Sequence, residues 1–247
     1  MAMNVKEWLK LPAVKKLQEE GFTNKTMGVD FFRDPLRTIT YNPGVMYAAA
    51  DGVVIYARNR VKPDDFLNIK GRPFTVRDLL CDEHYKYDSL VIGIFMTALD
   101  VHVNRVPTHS FFVEERNTPN LFTNNSSMID MEKGLLENEV VEDNMKYLFS
   151  NERKVSVLYS NVLKQRYYIV QIADKDVDVI INWGKGKWIE QGTRFGQIRW
   201  GSQCDVIIPL IKKNKYRIVV EPLDHVEAGT DAIIEIGDQK RGTTFKG

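Results

Sequence analysis

The chain has 247 residues, 43% of them hydrophobic and 27% charged, an ordinary globular composition that excludes a disordered chain and is long enough to bury a sizeable core. Lys and Arg number 34 against 33 Asp and Glu, a net charge of +1, so the basic excess of a dedicated nucleic-acid binder is absent and no nucleic-acid partner is expected. The only cysteines, Cys81 and Cys204, offer neither metal-ligand spacing nor a disulfide framework, so no metal is expected and a reducing, cytoplasmic setting fits.

Among the first residues, Val5, Trp8, Leu9, Leu11, Val14 and Leu17 recur between lysines and glutamates at helical spacing. An N-terminal amphipathic helix is predicted over 3–20, with Pro12 as its start or kink. It either covers the body of the domain or lies on a membrane surface, with Trp8 and Leu9 in lipid and Lys6, Lys10, Lys15 and Lys16 at the headgroups. Next, Phe31-Phe-Arg-Asp-Pro35, Arg37 and the turn-forming Asn42-Pro-Gly44 lead into Ala48-Ala-Ala-Asp-Gly-Val-Val-Ile-Tyr56, where Asp51-Gly52 reads as a tight turn entering a strand. Lys70-Gly71 marks another turn, and Thr75 is expected to cap a short helix carrying Val76, Leu79 and Leu80.

The longest apolar run, Leu90 to Leu99, falls far short of the roughly 20 residues that cross a bilayer, and no signal peptide opens the chain. In Asp100-Val-His-Val-Asn-Arg-Val-Pro107, strand alternation puts Asp100, His102 and Asn104 on one face and Val101 and Val103 on the other, as a site or a solvated surface requires. Residues 112–150, with their asparagines, serines and acidic run, read as surface loops around a short helix. Asn151-Glu-Arg153 precedes strands predicted at 155–159 and 167–173. Two more strands are predicted at 216–220 and 232–236, joined by a loop in which His225 is expected to be exposed, and the residues from Gly237 onward read as a frayed end.

Between these strands lies Gly192-Thr-Arg-Phe-Gly-Gln-Ile-Arg-Trp-Gly-Ser-Gln-Cys-Asp-Val-Ile-Ile-Pro209. At Gly201-Ser202 a glycine lets the backbone adopt conformations in which the serine hydroxyl reaches the preceding carbonyl carbon. The dipeptide alone is a common turn, so its context decides. Cys204, two residues on, reads as a small buried residue in a strand.

That context resembles the cleavage region of the short, pyruvoyl-dependent phosphatidylserine decarboxylases. Gly192, Phe195, Gly196, Ile198, Arg199, Trp200, Gly201, Ser202, Asp205, Val206 and Pro209 stand in the family register. The F-x-R-D-P, A-x-A-D-G, I-K-G, D-V-H-x-N-R-x-P, N-E-R and Q-I-A segments follow in family order from residue 31 to about 236. The resemblance implies one domain over 1–247 of an α+β, β-rich class: antiparallel sheets, a barrel-sandwich-like C-terminal part and the N-terminal amphipathic helix. It also implies self-cleavage: Ser202 attacks the Gly201 carbonyl, and the resulting ester eliminates. A β subunit of residues 1–201 and an α subunit of 202–247 result, the latter headed by a pyruvoyl cofactor derived from Ser202.

Asp51 matches the aspartate of the family's processing triad, and His102 the histidine that assists decarboxylation. Where longer relatives carry the triad histidine this chain has Arg105, so His102 serves both purposes or His109 substitutes. Gln203 stands where many short forms have arginine, a second departure. The implied activity is conversion of phosphatidylserine to phosphatidylethanolamine and carbon dioxide through a Schiff base, by a homo-oligomer in the cytoplasm or peripherally on its membrane. A soluble decarboxylase of a free amino acid or another primary amine, and a non-cleaving binding or scaffold relative, are the alternatives.

Overall fold

The computed structural model describes residues 2–21, 32–117, 126–175, 179–198, 202–211 and 215–237, with the side chains of 20 and 21 left aside. In chain order the strands are β1 (Met3–Asn4), β2 (Val45–Tyr47), β3 (Gly52–Val61), β4 (Leu67–Ile69), β5 (Arg72–Phe74), β6 (Ser89–Met96), β7 (Val103–Arg105), β8 (Ser110–Asn117), β9 (Arg153–Ser160), β10 (Gln165–Ala173), β11 (Ile180–Asn182), β12 (Trp188–Ile189), β13 (Arg194–Ile198), β14 (Ser202–Pro209), β15 (Lys215–Ile218), β16 (Asp224–Val226) and β17 (Ala232–Gly237). The helices are α1 (Val5–Trp8), α2 (Pro12–Gly21), α3 (Val76–Leu80), α4 (Ile129–Leu136) and α5 (Tyr147–Ser150).

A nine-stranded sheet in the order β1-β16-β3-β6-β14-β10-β9-β8-β12 forms the centre, beside the smaller sheets β11-β13-β7, β15-β17-β2 and β4-β5. The main sheet is antiparallel across β3, β6, β14 and β10, and among the described residues none of the sheets closes into a barrel. Every residue of β6 and of β14 is buried, which is why the apolar run in β6 is continuous rather than alternating: both faces of the sheet are covered. Period-two alternation sends Val91 and Phe95 into one apolar cluster and Ile92, Ile94 and Met96 into the other. Each fully buried Ile or Phe of these clusters contributes roughly 1.5–3 kcal/mol.

Residues 112–150 were expected as surface loops around a short helix; the helix is there, as α4, but 112–117 belong to β8 and the stretch 126–150 is packed rather than looped out. Met128, Met131 and Leu135, spaced for one helix face, are buried with Met145, Tyr147 and Leu148 against the first cluster. The asparagines and acids between them disguise that pattern in the sequence; residues 118–125 lie outside the described residues. The predicted N-terminal helix is two helices, α1 ending in tight turns from Lys10 N–H to the Glu7 carbonyl and Leu11 N–H to the Trp8 carbonyl. Trp8 is buried rather than turned to solvent, while Lys10, Leu11, Lys15 and Lys16 are exposed. Thr75 caps α3 as expected, in a reciprocal capping box with Asp78.

The loop expected at 221–229 contains a strand, β16, held between β1 and β3. The frayed end expected after Gly237, together with Phe31, Arg199, Trp200 and Gly201, falls outside the described residues. No helix among the described residues is long and apolar enough to cross a membrane.

Gly52 opens β3 at φ +150°, where a Cβ would stand 2.1 Å from the Phe95 carbonyl oxygen of β6. Neither backbone can yield without breaking the central pairing. Gly52→Ala is therefore expected to cost about 3 kcal/mol. The check is a lower urea midpoint with an unchanged slope.

Candidate active site

β6 lies between β3 and β14, with Val53 opposite Phe95 and Met96 opposite Ser202. The Asp51 turn that precedes β3, the turn that follows β6 and the start of β14 therefore share one end of the main sheet. Segments far apart in sequence reach one place because antiparallel neighbours put alternate strand ends together.

Ser202 is fully buried, and its hydroxyl donates to Met96 Sδ at 3.2 Å. The same sulfur receives Asn104 Nδ2 at 3.7 Å, while Asn104 Oδ1 accepts from Gln171 Nε2 at 2.9 Å. A thioether is a weak acceptor, so the serine proton is only lightly held.

Strand alternation does not extend through Asp100. Residues 97–100 form a turn in which Asp100 N–H donates to the Thr97 carbonyl, and Thr97 N–H and Oγ1 donate to Asp100 Oδ2 at 2.8 and 2.7 Å. Asp100 Oδ1 accepts from His225 Nε2 at 2.7 Å. Burial works to raise the Asp100 carboxyl, but His225 and the Thr97 donors prevail and hold it below the ordinary value.

His102 is fully buried, and its Nδ1 stands 3.1 Å from the Asp100 carbonyl oxygen. A carbonyl only accepts, so Nδ1 carries the proton and Nε2 is the basic nitrogen. Burial lowers its pKa to about 4, against the opposing pull of Asp100, so the ring is neutral at ordinary pH.

Asp51 is gripped by Arg37 on both oxygens, Nη1 to Oδ1 at 2.6 Å and Nη2 to Oδ2 at 2.5 Å, and receives Ala228 N–H at 2.8 Å. Burial pushes the Asp51 carboxyl up against the pull of Arg37. Burial is the largest influence and opposes the Arg37 charge, but the bond to and charge of Asp51, with Glu227 and Asp34, together outweigh it and the guanidinium is held above its ordinary value. Arg37→Met would strand a carboxylate out of water, and a loss of about 3 kcal/mol is expected. Adding Asp51→Asn should recover part of it, a comparison read from denaturant midpoints.

The carboxylate that bonds a histidine here is Asp100, and the histidine is His225. That residue was expected in an exposed loop and is instead buried on β16, with Trp8 stacked on its ring at 3.9 Å between centroids. The pairing of β16 with β1 and β3 and the Trp8 ring bury it, and a three-residue strand leaves no periodic signature. The remaining candidates have other contacts. Arg105 donates to the Gly192 carbonyl at 3.0 Å and pairs with Asp34 at 3.4 Å, and His109 stacks on Trp188 at 5.1 Å.

Gln203 leaves β14 on the face opposite Ser202. Its amide donates to Asp205 at 2.7 Å and to Tyr56 at 2.6 Å and accepts from the Tyr147 hydroxyl at 2.6 Å. Burial raises the Asp205 carboxyl to about 7 despite the Tyr56 and Gln203 donors. The second family departure therefore sits in a buried polar network, and Cys204 is buried in the strand as expected.

Residues 26–234 match the family model described as phosphatidylserine decarboxylase. The chain is similar to proteins named phosphatidylserine decarboxylase proenzyme from three bacteria. It is 28% identical to that of Ralstonia nicotianae over 77% of this chain and 71% of the relative. Identity is 29% for Geotalea daltonii, over 73% and 67%, and 31% for Pelobacter propionicus, over 72% and 64%. With the match running through β2 to β17 and across every strand of this sheet end, the chain belongs to the phosphatidylserine decarboxylase family, whose members are pyruvoyl-dependent decarboxylases.

Proposed function

We propose that this chain is a proenzyme that severs itself between Gly201 and Ser202 and then converts phosphatidylserine to phosphatidylethanolamine and carbon dioxide. The observation that carries the reading is Ser202 itself: its hydroxyl rests on a weak acceptor, at the sheet end where neutral His102 and the Asp51–Arg37 pair gather. Fragments 1–201 and 202–247 remain one domain, because β14 is paired along its length with β6 and β10.

A serine hydroxyl is a poor nucleophile and needs a base. His102 Nε2 takes the proton as Ser202 Oγ attacks the Gly201 carbonyl carbon. The peptide C–N bond breaks, the nitrogen receives the proton, and the amide has become an ester. A base then removes the Ser202 Cα proton, the Cβ–Oγ bond of the ester breaks as the Cα–Cβ double bond forms, and Gly201 departs as a carboxylate. The dehydroalanine left behind takes up water and loses ammonia. The residues around Ser202 suit the product: Ser202 is buried, and Asn104 Nδ2 is a donor in reach of the same sulfur as the serine hydroxyl. When present, the pyruvoyl group supplies an electron sink for loss of carbon dioxide. Asn104 would orient it, and the buried setting would keep water from it.

Phosphatidylserine is reached from a bilayer surface. Exposed Lys10, Leu11 and Lys15, at and after the α1–α2 junction, offer a patch for peripheral contact with its headgroups. Intact-mass measurement tests the reading: two fragments divided before residue 202 are expected, and a single 28.5 kDa chain would overturn it. Release of carbon dioxide from vesicles containing phosphatidylserine, and none from free serine, checks the substrate.

A further inference from the structure

Asp100 and His225 form a carboxylate–histidine pair that the chemistry above leaves unused. Their side chains are 1% and 5% exposed, and His225 Nε2 lies 2.7 Å from Asp100 Oδ1. A carboxylate only accepts, so Nε2 donates. The Trp8 indole lies over the ring at an interplanar angle of 13°, and the His225 backbone is fixed between Met3 of β1 and Val53 of β3. Helix α1, the turn at 97–102 and β16 thus meet at one imidazole.

A buried histidine with one hydrogen bond and one stacking partner is ordinarily a piece of core. Two observations point further. Asp100 is the residue whose backbone carbonyl receives His102 Nδ1, so the pair lies one residue's backbone away from the base. Its Oδ2 only closes the turn on itself through Thr97, whereas Oδ1 ties the turn to a distant strand. The neighbouring Ala98 N–H and Leu99 carbonyl are held by Glu132 and Arg33, so Asp100 is the point at which the C-terminal segment reaches the turn. Second, His225 lies beyond Ser202, and so does Ala228, whose N–H binds Asp51. Asp100 and Asp51, two buried carboxylates at this sheet end, are therefore both held by the stretch 225–228, which belongs to the smaller fragment once the chain is cut.

Resting on the self-cleavage reading, we propose that His225 is a positioning residue: by holding Asp100 it aims the carbonyl that fixes the tautomer and direction of His102, before the cut and after it. Without the Nε2 donor, Thr97 still closes the turn, but the turn is no longer anchored to β16. One oxygen of a buried carboxylate also loses its partner, a situation relieved by rotating Asp100. Either change moves the carbonyl and releases the His102 ring, with no loss of any group that touches the reacting atoms.

The test uses the full chain. His225→Phe keeps a flat ring against Trp8 and removes the donor, and His225→Gln restores a donor of similar reach. Cleavage is timed on denaturing gels during cell-free synthesis, and kcat and KM of matured protein are measured on phosphatidylserine vesicles. His225→Phe is expected to cut at least tenfold more slowly, with a similar fall in kcat and KM within twofold, and His225→Gln to regain most of both rates. Parental rates in His225→Phe, or no advantage of Gln over Phe, overturn the proposal.

Should His225→Phe fail to melt cooperatively, Asp100→Asn and its double mutant with His225→Gln decide the matter. A double no slower than the slower single supports a shared path, and additive effects overturn it. A parent chain that never cuts refutes the self-cleavage reading and this proposal with it. A parent that cuts normally beside an equally fast His225→Phe refutes the role of His225 alone.

Discussion

Ser202→Ala is expected to yield one unbroken 28.5 kDa chain with no measurable decarboxylation. On the proposed self-cleavage, the substitution removes both the hydroxyl that would attack the Gly201 carbonyl and the precursor of the keto group, so both steps fail together. It should do so without unfolding the protein. The hydroxyl bonds to Met96 Sδ, a weak acceptor that also receives the Asn104 amide, so its loss leaves no strong partner stranded. Loss of one weak hydrogen bond costs about 1 kcal/mol or less. A chain of normal melting temperature that neither cuts nor reacts with carbonyl-trapping reagents is the anticipated result. A cleaved or active Ser202→Ala protein would remove Ser202 from the chemistry altogether.

The next largest effect is expected at His102. Replacing it with Gln fills a similar volume but leaves no base, and general-base catalysis of this kind is worth roughly 10²- to 10⁴-fold, so cleavage should slow by that factor. Its pH dependence is the sharper signature. Burial puts the ring near pKa 4, so it stays a competent base well below the 6.5 of an ordinary histidine. The cleavage rate should be flat from pH 8 to about 5.5 and fall only towards 4; an acid limb centred near 6.5 would assign the base to a solvated histidine instead.

The same shift makes a stability prediction. Between 6.5 and 4 the unfolded chain binds the proton and the native chain does not, so the contribution of neutral His102 is complete above about 6.5 and is lost as pH falls towards 4. Asp205 runs the other way. Its carboxyl is raised from 3.8 to about 7, so its contribution is complete below about 3.8 and is lost as pH rises towards 7. The stability difference between the parent and His102→Gln, followed against pH, isolates the histidine because Asp205 is common to both.

Two residues at this sheet end show where sequence reading stops. Asp51 was legible because a turn aspartate before a glycine and a run of β-formers is a local pattern. Its partner Arg37 was visible only as an arginine in a loop, and nothing local says that both its nitrogens close on that carboxylate. His225 is the stronger case. Three residues of β16 carry no periodicity, the surrounding Glu221, Pro222, Asp224 and Glu227 are polar or turn-forming, and the residue reads as exposed; pairing with β1 and β3 puts it beneath Trp8. Trp8 stood open between two roles for the same reason, since a tryptophan on an amphipathic helix looks alike whether it meets lipid or a neighbouring ring; its burial against His225 settles it as a covering residue.

The amino-acid order alone determined the strand-rich class, the strands β3, β9, β10, β14, β15 and β17, the Thr75 cap, the Gly201-Ser202 context and the family, because each of these is written in short-range spacing. Tertiary structure decided which groups meet: Asp100 with His225, Asp51 with Arg37 and Ala228, and the Ser202 hydroxyl with a sulfur of β6. The reason is that these contacts come from the lateral order of strands in a sheet. That order depends on which faces must be buried against each other across the whole chain, and no window of sequence a few residues long contains it.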